Sequence, residues 1–562
     1  MAKRIIVFCC AILFICTIGT KISYSQDITI GLLQLNQSKA FNGYTLFAPN
    51  RSTDTFLIDN FGGVVHVWHS EHEPINVVNL LENGNLIKLC EPDDEEFNGR
   101  GLIQEYDWDG NIVWEYDNTR PYAWMHHDIE RLPNGNTLAV INDRIEYQDC
   151  IDAGRRPELI FEDYIISESI IEINPQKEIV WEWRFRDHLS SASGGTVNGK
   201  SVSTDTTDPG KMNFNYTPRL NTDWIHINAV DYNPELDQIA ISSHFMSEFY
   251  IIDHSTADYI NPSAGIEAAA GPAGDILYRW GNPVSYSIGT EADKILYGAH
   301  DIQWILPNNP GAGNLLVFNN GTQRPKRFSR VDEIIPPLNI NKTYDRQPAS
   351  IFGPAEPVWK YTAPVKTDFF SRRISGAQRL PNGNTLICEG DPGRFFEVTN
   401  EGEMVWEYIN PVTRNGPQPQ GTVITLGNGV FRCYRFAPDF PAFEGKAITA
   451  SEPLEGFNIV TSVNDNNILP LTFTLHQNYP NPFNPVTNIK FDLDKTENAT
   501  LLIYNSLGEE VKTIVSQLLT PGTHVYTWDG SNNSGSKVSS GIYFYRLTAG
   551  NQAGLKRMIY IK

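Results

Sequence analysis

The chain has 562 residues, of which 41% are hydrophobic, 11% aromatic and 20% charged. This composition indicates several domains or one large repeat fold, and it excludes long intrinsic disorder. The net charge of −22 excludes a general electrostatic attraction to nucleic acid or to anionic lipid, so an anionic substrate must be held by a local positive site.

Residues 1–26 have the pattern of a signal peptide. Lys3 and Arg4 precede an apolar stretch at 5–18, and a polar segment with small residues ends at Gln26. The apolar stretch is short for a membrane span, although an uncleaved signal anchor is the alternative. No later stretch approaches 18 apolar residues, so we expect a secreted or cell-surface protein without a membrane span in the mature chain.

Four cysteines remain after this segment, and none of them lies in a Cys-x-x-Cys spacing that would indicate zinc. They are Cys90, Cys150, Cys388 and Cys433. Export permits a disulfide, but the sequence does not determine a pairing, and buried free thiols are the favoured interpretation.

A repeat extends from about residue 30 to residue 450. A Pro-Asn-Gly-Asn turn follows Leu132 and again Leu380, with a looser copy at 81–87. Strands carrying a tryptophan recur six times, at Trp68, Trp114, Trp181, Trp280, Trp359 and Trp406. The shortest spacings, 46 and 47 residues, match a four-stranded propeller blade. We therefore predict an all-β fold with a six-bladed β-propeller over residues 27–450; the alternative is an irregular all-β sandwich.

Three histidines occupy the same position in the repeat, shortly before the first strand of a blade. They are His127, His226 and His300, and the equivalent positions elsewhere are Asn76 and Ser375. The innermost strands of a propeller face the central channel, so we expect the three imidazoles to converge there. Each alone is typical of a structural residue. Because strand residues alternate, His126 is expected to face away from His127.

Other chemistries find little support in the sequence. The acidic run at 93–96 would suit calcium, but such a run is usually a solvated loop. There is no phosphate-binding loop, nucleophile elbow or dinucleotide fingerprint. We therefore predict no cofactor and no metal.

The residue pattern of the sequence changes after a predicted linker at 451–470. Alternating strands separated by Gly and Asn turns predict a small Ig-like antiparallel β-sandwich over 471–562, without a catalytic constellation. The motifs NYPNPFNP, WDG, SGIYFYRL and the basic final strand resemble the C-terminal sorting domains of type IX secretion. The resemblance implies a partner, the type IX secretion machinery, and transport across the outer membrane; an adhesive sandwich is the alternative.

The repeat region resembles the bacterial arylsulfate sulfotransferases, which need no nucleotide sulfate donor. The resemblance rests on WMHHDIERLPNGNTL, DWIHINAVDYNPELDQIAISS, AHDIQW, NLLVFNNG and FRCYRFAPDFPAF. It implies that a histidine attacks the sulfur of an aryl sulfate donor and that the resulting sulfohistidine passes its group to a phenolic acceptor. Carried over by motif, His300 is the nucleophile, with His127 and His226 in support.

One position departs from the family pattern. The family has an arginine in the strand that here reads Ile-Ser-Ser-His, so His244 replaces it. A titratable side chain thus replaces an obligate cation, and we expect His244 to be protonated or to be helped by Arg324, Arg372 or Arg373 in binding sulfate. This departure leaves two alternatives to sulfate transfer: a secreted binding module without catalysis, and a metal-dependent sulfate-ester hydrolase.

Overall fold

The computed structural model describes residues 29–91, 101–254, 276–345, 350–446, 448–456 and 473–562, the last range without 494, 506, 521 and 551. The predicted signal peptide, the acidic run at 93–96, the loop at 255–275 and residues 457–470 of the predicted linker lie outside these residues.

The described chain up to residue 436 is built mainly from short β-strands joined by turns and loops. The first twelve are β1 (Gly31–Leu35), β2 (Tyr44–Pro49), β3 (Asp54–Ile58), β4 (Val64–His69), β5 (Pro74–Leu80), β6 (Leu86–Cys90), β7 (Leu102–Tyr106), β8 (Ile112–Asp117), β9 (Met125–Arg131), β10 (Thr137–Glu146), β11 (Tyr164–Ile173) and β12 (Ile179–Arg184). The helix α1 (Tyr147–Asp152) lies between β10 and β11. Four very short strands follow: β13 (Leu189–Ser190), β14 (Gly195–Val197), β15 (Lys200–Val202) and β16 (Met212–Asn213).

The second half continues in the same manner. Its strands are β17 (Ile227–Asn233), β18 (Gln238–Ser243), β19 (Glu248–Asp253), β20 (Ile276–Trp280), β21 (Ala299–Trp304), β22 (Leu315–Asn319), β23 (Arg330–Ile334), β24 (Trp359–Tyr361), β25 (Ser375–Arg379), β26 (Thr385–Glu389), β27 (Arg394–Val398), β28 (Met404–Ile409), β29 (Val412–Thr413), β30 (Gly416–Pro417) and β31 (Val430–Phe436). Single 3-10 turns lie at Pro157–Leu159, Phe185–Asp187, Pro283–Tyr286, Glu291–Asp293, Lys366–Asp368, Pro441–Phe443 and Leu454–Gly456.

The longer strands form six antiparallel sheets. Five consist of consecutive strands, β5–β8, β9–β12, β17–β20, β21–β24 and β25–β28, and β1 adds a fifth strand beside β28. The sixth sheet has the order β31-β2-β3-β4, so it combines strands from both ends of this region. β31 pairs with β2 in it, and Phe436 lies opposite Tyr44. The first strands of the sheets contact one another in the cyclic order β5, β9, β17, β21, β25, β31 and back to β5.

The repeat in the sequence corresponds to these sheets. Gly84, Gly135 and Gly383 lie in the turn between the first two strands of their sheets, with φ of 88°, 88° and 91°, which a residue with a Cβ adopts only with strain. The six tryptophans of the repeat each lie in the fourth strand of a different sheet. The prediction of an all-β repeat with tight turns at these positions is confirmed.

Acidic side chains link β9 to β17, β17 to β21 and β21 to β25. Asp128 on β9 accepts from the Val230 amide at 3.0 Å, and Asp301 on β21 accepts from the Ala377 amide at 2.8 Å. Between them, Asp231 on β17 accepts a hydrogen bond from the amide of Trp304 on β21. Since buried backbone amides need acceptors, these carboxylates fix how the first strands lie against each other.

The tail forms a separate two-sheet unit. Its strands are β32 (Thr474–Leu475), β33 (Thr487–Leu493), β34 (Glu497–Asn505), β35 (Glu510–Leu519), β36 (Gly522–Trp528), β37 (Gly541–Ala549) and β38 (Gln552–Tyr560). One sheet has the order β32-β33-β36 and the other β35-β34-β37-β38. Phe491, Trp528 and Tyr545 contribute to one buried cluster. The predicted antiparallel strands of this segment are confirmed.

The tail contacts the sheet that contains β2, β3 and β4. The Tyr479 hydroxyl donates to the Asp59 carboxylate at 2.8 Å, and Lys490 pairs with Glu452 at 3.2 Å. Residues 451–456, the described part of the predicted linker, lie along β4, and their Glu455 is buried against Gln420. No helix among the described residues has both the length and the apolar character needed to cross a bilayer.

Candidate functional site

Four histidines lie side by side where the first strands β9, β17 and β21 begin. The ring centroids of His127 and His226 are 4.7 Å apart, those of His226 and His244 are 6.1 Å apart, and those of His244 and His300 are 4.9 Å apart. His244 directly follows β18, the neighbour of β17. The structure thus brings together all four histidines singled out in the sequence.

Backbone strain accompanies this arrangement. His127, His226 and Asp301 have φ of 63°, 58° and 50°, and each lies beside an irregularity in strand pairing. A non-glycine residue in this region costs on the order of 1–3 kcal/mol and often marks a functional site. The positive φ also breaks strand alternation, so His126 contacts His127, with their Nδ1 atoms 2.5 Å apart. The expectation that His126 faces away from His127 is wrong for this reason.

The hydrogen bonds of His300 determine which of its nitrogens carries the proton. The amide nitrogen of Asn320 donates to the Ser371 carbonyl at 2.8 Å, which turns the Asn320 oxygen toward Nδ1 of His300 at 2.6 Å. An amide oxygen only accepts, so Nδ1 of His300 is protonated. Its Nε2 therefore carries the free lone pair, as a nucleophile requires.

His244 lies against the same nitrogen of His300. The two Nδ1 atoms are 3.2 Å apart. Because Nδ1 of His300 carries the proton, Nδ1 of His244 must be the acceptor, and the proton of neutral His244 is on Nε2. His244 thus has one N–H group to offer to a ligand.

His226 is held between a carboxylate and an aromatic ring. Its Nδ1 donates to Asp223 at 2.7 Å, and its ring stacks on Phe245 with centroids 4.6 Å apart. A carboxylate in this position orients an imidazole and stabilises the positive charge that develops on it when Nε2 takes a proton. His226 is therefore suited to proton transfer.

Burial keeps several of these histidines neutral. Burial, together with the neighbouring His226, lowers the pKa of His126 and of His244 to about 3. The pKa values of His127 and His300 lie well below the ordinary value, again mainly because of burial. A neutral His300 is a competent nucleophile at pH 7. Of the two alternatives expected for His244, protonation or help from an arginine, its low pKa disfavours protonation at neutral pH.

Arg432 lies close enough to His127 and His300 for its charge to lower the pKa of both. It extends from β31, pairs with Asp128 at 2.7 Å and with Asp301 at 3.0 Å, and donates to the Asn228 carbonyl at 2.6 Å. Burial opposes its charge, but the two carboxylates outweigh burial and raise its pKa. Since two carboxylates already bind it, Arg432 joins three sheets rather than offering a free cation.

The three arginines predicted to bind substrate lie near the site without touching the histidines in the described contacts. Arg324 donates to the Phe328 carbonyl at 3.2 Å and stacks over that ring. Arg372 and Arg373 follow Ser371 but are exposed, and Arg373 faces Asp391 at 3.7 Å. The structure does not bring these three side chains to the row of histidines.

A comparison with models of known protein families shows which family the chain belongs to. A model of the arylsulfotransferase (ASST) family matches residues 34–425, which include all four histidines and Asn320. The chain belongs to the arylsulfotransferase family. A model of the FlgD Ig-like domain matches residues 481–553, in agreement with the two-sheet tail. Membership of the arylsulfotransferase family supports sulfotransferase activity in general.

The solved structures that are similar to this chain are distant in sequence. A protein of unknown function from Bacteroides caccae shares 12% identity and a TM-score of 0.38, covering 70% of this chain and 99% of its own. Virginiamycin B lyase from Staphylococcus aureus shares 11% identity and a TM-score of 0.30, covering 69% and 90%. A search of curated proteins finds no match.

A cavity of about 610 Å³ has Arg432, Asp128 and Asp301 in its lining. Glu130, Asp231 and Trp304 are among its lining residues, and none of the four histidines lines it. We locate the candidate active site of the arylsulfotransferase at the histidine end, because the nucleophile and its orienting amide lie there. Within the described residues, no group of three His, Cys, Asp or Glu side chains is arranged to hold a metal ion.

Sequence reasoning missed several residues of this site. Asn320 and Asp223 orient histidines from outside the repeated positions, and no spacing distinguishes them from other turn residues. Asp128 and Asp301 had a visible signal, since each directly follows a histidine of the repeat. Because an aspartate follows both His127 and His300, the sequence could have indicated that these two carboxylates share one cationic partner, which is Arg432.

Proposed function

We propose that this protein is an exported arylsulfate sulfotransferase that moves a sulfuryl group from an aryl sulfate to a phenolic acceptor through a sulfohistidine at His300. The observation that carries the proposal is the hydrogen bond from Nδ1 of His300 to Asn320, which leaves the Nε2 lone pair free. Membership of the arylsulfotransferase family supports the reaction class.

The first displacement forms the covalent intermediate. The Nε2 lone pair of His300 attacks sulfur, the bond from sulfur to the aryl oxygen breaks, and a phenolate leaves with the electron pair. Sulfuryl transfer resembles phosphoryl transfer, in which charge spreads over the peripheral oxygens, so nearby N–H donors stabilise it. We assign this role to the Nε2–H of His244. We assign protonation of the phenolate to the doubly protonated form of His226, which gives up its Nε2 proton while Asp223 holds its Nδ1–H group, and which the acceptor's proton restores in the next step.

The second displacement regenerates the enzyme. The acceptor phenol loses its proton to Nε2 of His226, its oxygen attacks sulfur, and the nitrogen–sulfur bond breaks. His300 returns to its neutral Nδ1–H form, so each turnover is balanced in atoms and protons. Two displacements at one nitrogen predict ping-pong kinetics.

The proposed architecture is a six-bladed propeller followed by an Ig-like sorting domain. The six sheets, with their first strands in contact in cyclic order, support six blades. The tail motifs support recognition by the type IX secretion machinery and a surface or secreted location. Deleting residues 473–562 should leave the protein inside the outer membrane of an expressing type IX host; unchanged surface display would refute this assignment.

The catalytic proposal is tested with 4-nitrophenyl sulfate and phenol. We expect nitrophenolate release that depends on phenol, sulfated phenol by mass spectrometry, and loss of both in His300→Ala. His69→Ala is the matched control, because that histidine is 73% exposed and pairs only with Asp54. Equal activity in His300→Ala would reject the nucleophile. Binding of the ester without turnover would instead identify a binding module, and sulfate transfer to water would identify a hydrolase.

A further inference from the structure

The site lacks an obvious cation for the sulfate group. His244 occupies the position of the family arginine, and burial, together with His226, keeps it neutral at pH 7. Arg432 is buried and bound by Asp128 and Asp301. A sulfate monoester is an anion, and this chain carries a net charge of −22, so a local positive group is needed.

Arg219 lies on the aromatic side of the histidine row. Its guanidinium carbon is 5.0 Å from the ring centroid of Phe245. His226 also packs on that ring, stacked at 4.6 Å with an angle of 21° between the planes, and the ring of His244 lies 5.7 Å from it. One aromatic side chain therefore connects Arg219 to two of the four histidines.

The electrostatics agree with this position. After burial and His226, the charge of Arg219 is the next cause that lowers the pKa of His244. Arg219 is exposed and makes no ion pair with a carboxylate of the described residues. It belongs to the segment between β16 and β17, which ends at the site. Its charge is available to a ligand, unlike that of Arg432.

We propose that Arg219 binds the sulfate group of the donor, taking over the task of the arginine that His244 replaces; this inference rests on the proposed sulfotransferase function. A guanidinium is always charged and offers two parallel N–H groups to an oxyanion. Phe245 supports its planar group by a cation–π contact. Arg219 is preferred because it contacts Phe245, the ring that packs on His226 and His244, whereas no such contact of Arg324, Arg372 or Arg373 is present among the described residues.

The test compares Arg219→Ala, Arg219→Lys and the control Arg156→Ala in the full chain. Arg156 is also an exposed arginine, with 58% of its side chain accessible, and it lies away from the histidines beside Glu158. We expect Arg219→Ala to lower kcat/KM for 4-nitrophenyl sulfate about 10- to 100-fold, mainly through KM, and to weaken inhibition by inorganic sulfate. Arg219→Lys should recover part of the loss, and Arg156→Ala should stay within twofold of wild type.

The outcomes separate this inference from the proposed function. An active wild type with Arg219→Ala unchanged in KM and in sulfate inhibition overturns the role of Arg219 and leaves the sulfotransferase proposal intact. If the wild type transfers no sulfate, the proposed function fails, and calorimetric titration with 4-nitrophenyl sulfate decides the inference. Weaker binding to Arg219→Ala than to wild type then supports it, whereas equal binding or no binding to either overturns it.

Discussion

Replacing Asn320 by alanine should slow the first chemical step without weakening donor binding. The Asn320 oxygen accepts the Nδ1 proton of a His300 ring that is only 2% exposed. Without that acceptor, the N–H is buried and unsatisfied at a cost of about 1–3 kcal/mol. The ring can avoid this cost by moving its proton to Nε2, which removes the nucleophilic lone pair.

The same free energy sets the size of the effect. A penalty of 1–3 kcal/mol corresponds to a rate reduced by roughly 5- to 150-fold. Nδ1 of His244, at 3.2 Å, remains as a weaker acceptor, so we expect the middle of this range, about 10- to 50-fold. The measurement is the first-turnover burst of nitrophenolate after rapid mixing with 4-nitrophenyl sulfate, with donor affinity taken from its concentration dependence.

Ser375→Ala is the matched control for this experiment. It removes one acceptor of the Asn320 amide nitrogen, at 3.1 Å, while the Ser371 carbonyl still holds the amide in place. We expect less than a threefold change in the burst rate. A burst in Asn320→Ala as fast as that of wild type, in a folded protein, would refute the tautomer argument and remove its support for His300 as the nucleophile.

Further predictions concern stability and metal dependence. In the folded protein His244 is neutral, with a pKa of about 3, but in the unfolded chain it takes a proton near pH 6.5, so the free energy of unfolding falls as pH drops between these values. His244→Asn should reduce the slope of the free energy of unfolding against pH by about 1.4 kcal/mol per pH unit, measured by urea titrations. An unchanged slope would contradict the assignment. Arg432→Met should destabilise the fold by about 3–5 kcal/mol in chemical denaturation, because Asp128 and Asp301 would lose their buried partner; a loss below 1 kcal/mol would show that the pairing is dispensable. Burial raises the pKa of Glu455 to about 7, so the stabilisation from the neutral Glu455 is complete below pH 4.5 and is lost as pH rises through 7. Glu455→Gln should therefore be up to about 3 kcal/mol more stable than wild type at pH 8 and equally stable at pH 4. Equal effects on stability at both pH values would be inconsistent with a buried neutral acid. Transfer should persist in excess EDTA because an imidazole is the proposed nucleophile, and a loss restored by a divalent metal would favour the hydrolase alternative.

The sequence predicted the repeated parts of this molecule better than the single ones. Turns such as Gly135 and Gly383, and the tryptophan of each sheet, recur at regular intervals, so the pattern itself identified them. The alignment of His127, His226 and His300 used the same regularity, and the structure brings these rings together.

Features that depend on tertiary contacts occurring only once in the fold could not be predicted from the sequence. The protonation state of His244 follows from how deeply it is buried and from its neighbours, neither of which the local sequence records. The contact between His126 and His127 depends on a positive φ that strand alternation does not anticipate. Arg219 lies in a long irregular segment, where spacing carries no information about which residues approach the site.

The pairing of β31 with β2 has a consequence for when the enzyme can become active. Tyr44 faces Phe436, almost four hundred positions later in the chain, and β31 also carries Arg432. Pairings between such remote segments form slowly, because a long loop must close first. A nascent or C-terminally shortened chain that lacks β31 would hold its histidines without the arginine that joins Asp128 to Asp301. The proposed sulfate transfer would therefore require the ring of six sheets to be complete.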